Sequence, residues 1–179
     1  MTRLFTEFSA VASMYSLPQI NAGIWAMFSY GGLRLTKHLW LPTVALAERL
    51  SCIRSMYFVY SGYVAKSTVE VMENCFSMWW DAVASSFWEQ MHFDLKIDRG
   101  DVLSLKAEHR ALLDAMFETL SNILALPDPR TQGFALHGLG HLHHPGVRDV
   151  VQHFLDEHRE DFTLEGIEWV EQCRDGTVM

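Results

Sequence analysis

The stretch Asp128–His158, DPRTQGFALHGLGHLHHPGVRDVVQHFLDEH, carries the clearest structural pattern in this chain of 179 residues. Asp128 is a good helix N-cap, and Pro129 suits the first helical position, where its missing N–H would have no partner. Apolar residues recur at helical spacing on both sides of Pro145, which ends one helix and begins the next. Because the turn is so short, the two helices must lie antiparallel, and the stretch predicts a helical hairpin.

Two glycines, Gly138 and Gly140, lie inside the first helix of this hairpin. Each costs about 1 kcal/mol relative to alanine in a helix interior. We expect the compensation to be the close approach of another helix over that surface. A single hairpin cannot bury its apolar faces alone, so the pattern also predicts a layer of helices on either side.

The hairpin resembles one unit of a HEAT-type helical repeat, with Asp-Pro-Arg at 128–130, Ala-Leu at 135–136 and Leu-Gly-x-Leu at 139–142, then a proline turn and a Val-rich second helix. The run ALHGLGH at 135–141, with Met-Trp-Trp-Asp at 78–81 upstream, also resembles an uncharacterised family of small bacterial helical proteins. The resemblance covers the hairpin well and the rest of the chain loosely. It implies an α-α superhelix and, by analogy, a binding surface, but no activity.

The remaining chain also favours helices. Helical patterns are predicted over Thr2–Tyr15, from Pro18 to Gly32, from Pro42 to Gly62, from a capping box at Ser67–Glu70 to Met91, from Asp101 to Pro127, and from Thr163 to Gly176. In the third of these, Glu48 and Arg49 are predicted to face out, and Leu33–Leu41 is predicted to be a loop. The predicted fold is therefore all-α: antiparallel hairpins stacked as a HEAT/armadillo-like superhelix of about eight helices. We expect a single domain over residues 1–179, with an internal hinge near 94–101.

Charge divides the chain into two unlike halves. Through Gln90 there are six basic and six acidic residues, and from Met91 onward eight basic and sixteen acidic residues, a net charge of −8. An acidic half disfavours nucleic acid or an anionic membrane as a partner. The neutral, aromatic-rich first half favours core burial and, beyond that, a face for self-association or a protein partner.

The cysteines and one long uncharged segment indicate where in the cell the protein is located. Three scattered cysteines without a C-x-x-C pair favour free thiols in a reducing, cytoplasmic setting. No charge occurs from Phe8 to Leu33. Pro18, Gln19 and Asn21 interrupt that segment, so a buried pair of helices is favoured over a transmembrane span.

Histidines supply one candidate chemical site. His137 and His141 lie four residues apart on the predicted helix, so both imidazoles can reach one metal ion, and His144 could extend the row. Zinc or iron would be the cofactor under this hypothesis. The more common explanation is histidines that hydrogen-bond between helices, with no cofactor.

Aromatic residues supply a second candidate site. Trp79 and Trp80 lie on adjacent faces of one helix, and Asp81 could accept an indole N–H or pair with Arg54. The residues form either an aromatic core or the wall of a small-molecule pocket. Arg54 with Tyr57, Tyr60 and Tyr63 is similarly either core or a binding patch.

No catalytic signature occurs in the sequence, so the leading hypothesis is a non-enzymatic helical interaction module. It would act through a protein partner or as a homo-oligomer. A metal-dependent hydrolase-like enzyme using His137, His141 and His144 is the alternative. A small-molecule binder with a pocket lined by Trp79, Trp80 and nearby tyrosines is the third hypothesis.

Overall fold

The fold is all-α, as predicted. The computed structural model describes residues 1–28, 32–68 and 74–178, and within these ranges every regular element is helical. The elements in chain order are α1 (Thr2–Thr6), α2 (Phe8–Ala12), α3 (Leu17–Phe28), α4 (Lys37–Trp40), α5 (Leu46–Ser55), α6 (Tyr57–Val59), a π-helical turn (Tyr60–Val64), α7 (Asn74–Ser77), α8 (Trp79–Leu95), a 3-10 turn (Val102–Ser104), α9 (Ala107–Leu124), α10 (Pro129–Leu142), α11 (Val147–His158), a second 3-10 turn (Arg159–Asp161) and α12 (Leu164–Asp175).

The hairpin of α10 and α11 forms where the sequence places it. Asp128 caps α10, because its Oδ2 accepts a hydrogen bond from the backbone N–H of Thr131 at 3.0 Å. The helix ends at Leu142, and His143 adopts a left-handed conformation with φ of 53°. His143 begins the turn into α11, and it lies three positions after Gly140 and two before Pro145.

α10 is the central helix, in contact with α8, α9, α11 and α12. A Cβ at Gly138 would lie 2.5 Å from Trp80 Cβ and 2.9 Å from Leu120 Cδ2, and one at Gly140 would lie 2.5 Å from Val178 Cγ1 and 3.1 Å from Cys173 Cα on α12. Real Cβ atoms do not approach to 2.5 Å, so any larger residue at either position would force its neighbours to shift. The predicted close approach of neighbouring helices is therefore confirmed on both faces of α10.

The core changes character along the chain. Around Trp79 it is aromatic: the indole packs against Phe28 at 4.6 Å between ring centroids, Phe5 at 5.2 Å and Tyr60 at 6.2 Å. Around α9 and α10 it is mostly aliphatic. The indole of Trp88 joins the two parts, because its N–H donates to the carbonyl of Leu142 at 2.9 Å.

Several predicted boundaries differ from the structure. The helix predicted over Thr2–Tyr15 is two short helices broken at Glu7, and the break keeps Phe5 and Phe8 both in the core. The predicted loop at Leu33–Leu41 contains α4, which buries Leu39 and Trp40. Tertiary packing, which local patterns do not contain, decides both.

The segment predicted to run from Ser67 to Met91 is described only in part. Val69, Glu70 and Met72 lie outside the described residues, as does Gly31 at the predicted end of α3. The described portion consists of α7 and α8, separated at Met78.

The predicted hinge near 94–101 begins inside α8, which continues to Leu95. Lys96 is left-handed with φ of 58°, and Ile97 is 7% exposed. This turn is thus anchored to the core by one apolar side chain.

The stacking of hairpins into a superhelix stays a prediction.

Candidate functional site

Two histidines of α10 meet the start of α8. His137 and His141 project from the same face of α10, since residues four apart are neighbours on a helix surface. Their Nε2 atoms lie 3.2 Å apart, with the rings nearly perpendicular. The Nδ1 of His137 lies 3.1 Å from the carbonyl oxygen of Ser77, and the Nδ1 of His141 lies 3.5 Å from Oδ1 of Asp81. We call these four residues the His137–His141 cluster.

Asp81 connects the cluster to a cavity. It accepts a hydrogen bond from the Ser85 hydroxyl at 3.0 Å and is 25% exposed. With Trp25, Phe28 and other side chains it lines a cavity of about 320 Å³. Because Ser85 donates to a carboxylate and not to an imidazole, this arrangement does not activate the hydroxyl as a nucleophile.

Burial disfavours the protonated form of His141 and His143 at this end of α10. It lowers the pKa of His141, and the charges of His137 and Arg99 act in the same direction while the Asp81 carboxylate opposes them. Burial also lowers the pKa of His143, again assisted by Arg99. Neutral imidazole is the form that accepts a hydrogen bond or binds a metal.

His144 does not join the cluster, so the predicted row of three histidines is wrong. Its Nε2 lies 3.1 Å from Oδ1 of Asp114, and its ring stacks on Phe117 with centroids 4.1 Å apart. The left-handed residue before it ends the helical spacing and turns the side chain toward α9. Within residues 1–28, 32–68 and 74–178, no group of three or more His, Cys, Asp or Glu side chains is placed to hold a metal ion.

The predicted aromatic site is core. Trp79 and Trp80 are 1% and 0% exposed, and Tyr60 is also fully buried. The indole N–H of Trp79 contacts the sulfur of Met56 at 3.3 Å, whereas that of Trp80 has no hydrogen-bond partner among the described residues. Neither tryptophan is exposed to solvent, as the wall of an open pocket would be.

Neither alternative considered for Asp81, an indole N–H or Arg54 as its partner, occurs among the described residues. The Nε of Arg54 lies 3.1 Å from a Glu118 carboxylate oxygen, and both side chains are more than half exposed. Arg54 and Tyr57 line a shallow depression beside Phe58, which is 47% exposed. These residues are thus at the surface, apart from the tryptophans and from Asp81.

An apolar groove between α1–α2 and α3 was not predicted as a site. We call it the α3 groove; its volume is about 270 Å³, and its lining residues are Leu4, Phe8, Val11, Ala12, Tyr15, Gln19, Ile20, Gly23, Ile24 and Met27. None of them is charged. The available signal was the uncharged segment from Phe8 to Leu33, which was predicted to form a buried pair of helices.

No family model, curated protein or solved structure matches this chain. The likeness to HEAT repeats and to small bacterial helical proteins therefore stays a prediction. In the part of the chain that the structure describes, every helix is too short or too polar to cross a lipid bilayer.

A buried arginine was also missed. Arg49, predicted to face out, is 2% exposed, and its Nη2 lies 3.0 Å from a carboxylate oxygen of Glu108 on α9. Its Nε and Nη1 have no hydrogen-bond partner among the described residues. It faces α9, a neighbour that the α5 pattern could not reveal.

Cys52, Cys75 and Cys173 are all buried, and none of them forms a disulfide within the described residues. Burial raises the pKa of Cys173 to about 12 and also raises that of Cys52. Thiols with raised pKa values are poor nucleophiles, so Cys52 and Cys173 do not provide a reactive centre.

Proposed function

We propose that the protein is a helical interaction module, and that its α3 groove binds the apolar face of an amphipathic helix from a partner protein. The supporting observation is the groove itself, an apolar depression between helices whose lining residues carry no charge. Binding a helix through apolar anchors in such a groove is a recurring mode of recognition.

The spacing of the lining residues suits a helical ligand. Ile20, Gly23, Ile24 and Met27 follow one face of α3 in an i, i+3, i+4, i+7 pattern. Phe8 and Ile24 form part of the buried floor. The bound helix would complete the burial of α3, whose opposite side packs on α7 and α8.

The chemistry of the rim indicates what the groove accepts. Met14 and Tyr15, just beyond the end of α2, are two adjacent large side chains that are 68% and 55% exposed, and Tyr15 lines the groove. Methionine adapts its shape to a ligand, and tyrosine is favoured at interfaces. Since no lining residue could pair with an ionised group, the contacting face of the partner must be apolar.

Gly23 allows a specific test. A Cβ added at this residue would meet nothing within 4 Å, so a larger side chain can enter the groove without disturbing the helix backbone. Gly23→Leu should therefore fill the groove while the protein stays folded. Gly133→Leu on α10 is the matched control, because a Cβ at that helical glycine also meets nothing within 4 Å and the residue does not line the groove.

The experiment compares proteins captured from a cell lysate by the wild type and the two variants, quantified by mass spectrometry. At least one protein should be recovered by the wild type and by Gly133→Leu, and be depleted at least tenfold with Gly23→Leu. If no captured protein shows this pattern, the proposal is wrong.

Light scattering across a concentration series tests whether a second copy of this chain occupies the α3 groove. A wild-type dimer that dissociates in Gly23→Leu but not in Gly133→Leu would identify the occupant as a second copy of this chain. That outcome would overturn the partner-helix proposal in favour of self-association.

A further inference from the structure

The ring nitrogens of the His137–His141 cluster are arranged as in a metal site. His137 presents Nδ1 to a carbonyl oxygen and His141 presents Nδ1 to a carboxylate. Both partners can only accept, so a ring that donates to its partner carries its hydrogen on Nδ1. A ring in that tautomer has a lone pair on Nε2, and the two Nε2 atoms lie 3.2 Å apart.

Where both rings hold their hydrogen on Nδ1, the two Nε2 lone pairs face one another at that distance and repel, unless a positive centre lies between them. Three contacts can use a ring hydrogen: Ser77 to His137 at 3.1 Å, His137 to His141 at 3.2 Å, and His141 to Asp81 at 3.5 Å. Two neutral imidazoles carry only two ring hydrogens, so one contact stays unfilled. A cation bound by both Nε2 atoms would complete all three without changing either ring.

From this arrangement we infer that His137 and His141 bind one divalent transition-metal ion, of which Zn²⁺ is the representative. In a tetrahedral zinc site with Zn–N bonds of 2.0–2.1 Å, two nitrogen ligands lie about 3.3–3.4 Å apart. The observed separation of 3.2 Å thus needs almost no adjustment. Imidazole nitrogen suits zinc, copper and nickel and disfavours magnesium and calcium.

The outer hydrogen-bond partners strengthen this inference. Histidines that bind metals usually donate their other N–H to a carboxylate, a backbone carbonyl or water, which fixes the tautomer. Here the Ser77 carbonyl and the Asp81 carboxylate stand in those two positions. Asp81 also supplies negative charge that offsets Arg99, and its bond to Ser85 holds it in place. The remaining positions on the ion would be open to water or to a small ligand.

The test is calorimetric titration of the untagged, full-length protein with Zn²⁺, after treatment with chelator. We expect one ion per chain. His137→Gln and His141→Gln should each weaken binding at least tenfold, and Asp81→Ala should weaken it about tenfold through loss of positioning. His153→Gln is the matched control, since His153 is 75% exposed on α11 and lies 3.4 Å from Glu157 as an ordinary surface pair. It should bind Zn²⁺ like the wild type.

Two measurements keep the result independent of whether a variant folds. Circular dichroism checks each variant, and NMR of the imidazole nitrogens follows the wild type alone. Zinc should shift the Nε2 resonances of His137 and His141 and leave their Nδ1 protons in place. A wild type that takes up no zinc, resonances that do not move, or a folded His137→Gln/His141→Gln protein with unchanged zinc affinity would each overturn the inference.

Discussion

Helices α3 and α10 both carry glycines, and Gly23 of α3 has surroundings opposite to those of Gly138 and Gly140 on α10. Gly138 and Gly140 lie where neighbouring side chains approach to 2.5 Å of a would-be Cβ, whereas Gly23 faces open space. The first pair is required by close packing between helices. The other glycine leaves a depression at the surface. The closely packed part of α10 belongs to the core of this protein, and the side of α3 at Gly23 leaves the surface that we propose binds a partner.

The largest expected effect contrasts side-chain truncation on the two helices. Leu139 on α10 is fully buried, so Leu139→Ala should lower the free energy of unfolding by about 2–5 kcal/mol. Met27 on α3 is only half-buried, and Met27→Ala should cost a small fraction of that amount. Urea denaturation of both variants measures the difference. Equal losses would mean that α3 is as closely packed as α10.

A smaller effect is expected at the central glycine. Gly138→Ala places a methyl group 2.5 Å from Trp80 Cβ and should destabilise the protein by about 1–3 kcal/mol, despite the better helix propensity of alanine. A Cβ at Gly133 would meet nothing within 4 Å, so Gly133→Ala measures the effect of helix propensity alone on the free energy of unfolding. If Gly138→Ala is as stable as Gly133→Ala, the contact of α8 with α10 is looser than the structure has it.

In the α3 groove, a Gly→Ala substitution should raise the free energy of unfolding, whereas at Gly138 it should lower it. Gly23→Ala should stabilise the protein by up to about 1 kcal/mol, because alanine is the better helix former and no neighbour is displaced. Thermal and urea unfolding should give a gain similar to that of Gly133→Ala. Destabilisation would show that some other segment covers the groove in solution.

The smallest expected effect is a pH dependence on the closely packed side of the molecule. Burial lowers the pKa of His109 on α9; Lys106 and Arg49 lower it further, while Glu108 and Asp94 oppose them. The unfolded chain takes up a proton near the ordinary pKa of about 6.5, and the folded protein resists doing so. The contribution of His109 to the free energy of unfolding is therefore present above the ordinary pKa of about 6.5. It is lost as the pH falls through the lowered pKa of the folded protein.

Replacing the imidazole tests this dependence. The free energy of unfolding of the wild type, minus that of His109→Gln, should decrease as pH falls from about 7.5 to about 5.5. Urea titrations at several pH values measure it. A difference that is constant, or that grows toward low pH, would contradict the burial of a neutral imidazole against α5.

Sequence patterns alone predicted the all-α fold, the α10–α11 hairpin, the Asp128 cap and the glycine contacts on α10. Each of these follows from local rules: helical periodicity, the missing N–H of proline, and the steric meaning of glycine. The spacing of His137 and His141 likewise brought their rings together, because positions four apart on a helix are fixed by its geometry.

Tertiary structure decided everything that depends on which helix faces which. Arg49 was predicted to face solvent and is buried against α9, and Arg54 pairs with Glu118 in place of Asp81. Asp81 reaches His141 because α8 packs on α10, a contact between residues 60 positions apart in the chain that no local pattern specifies. The uncharged segment at the start of the chain predicted apolar contact. Only the packing of α3 on α7 and α8 determined that part of this segment is left open as a groove.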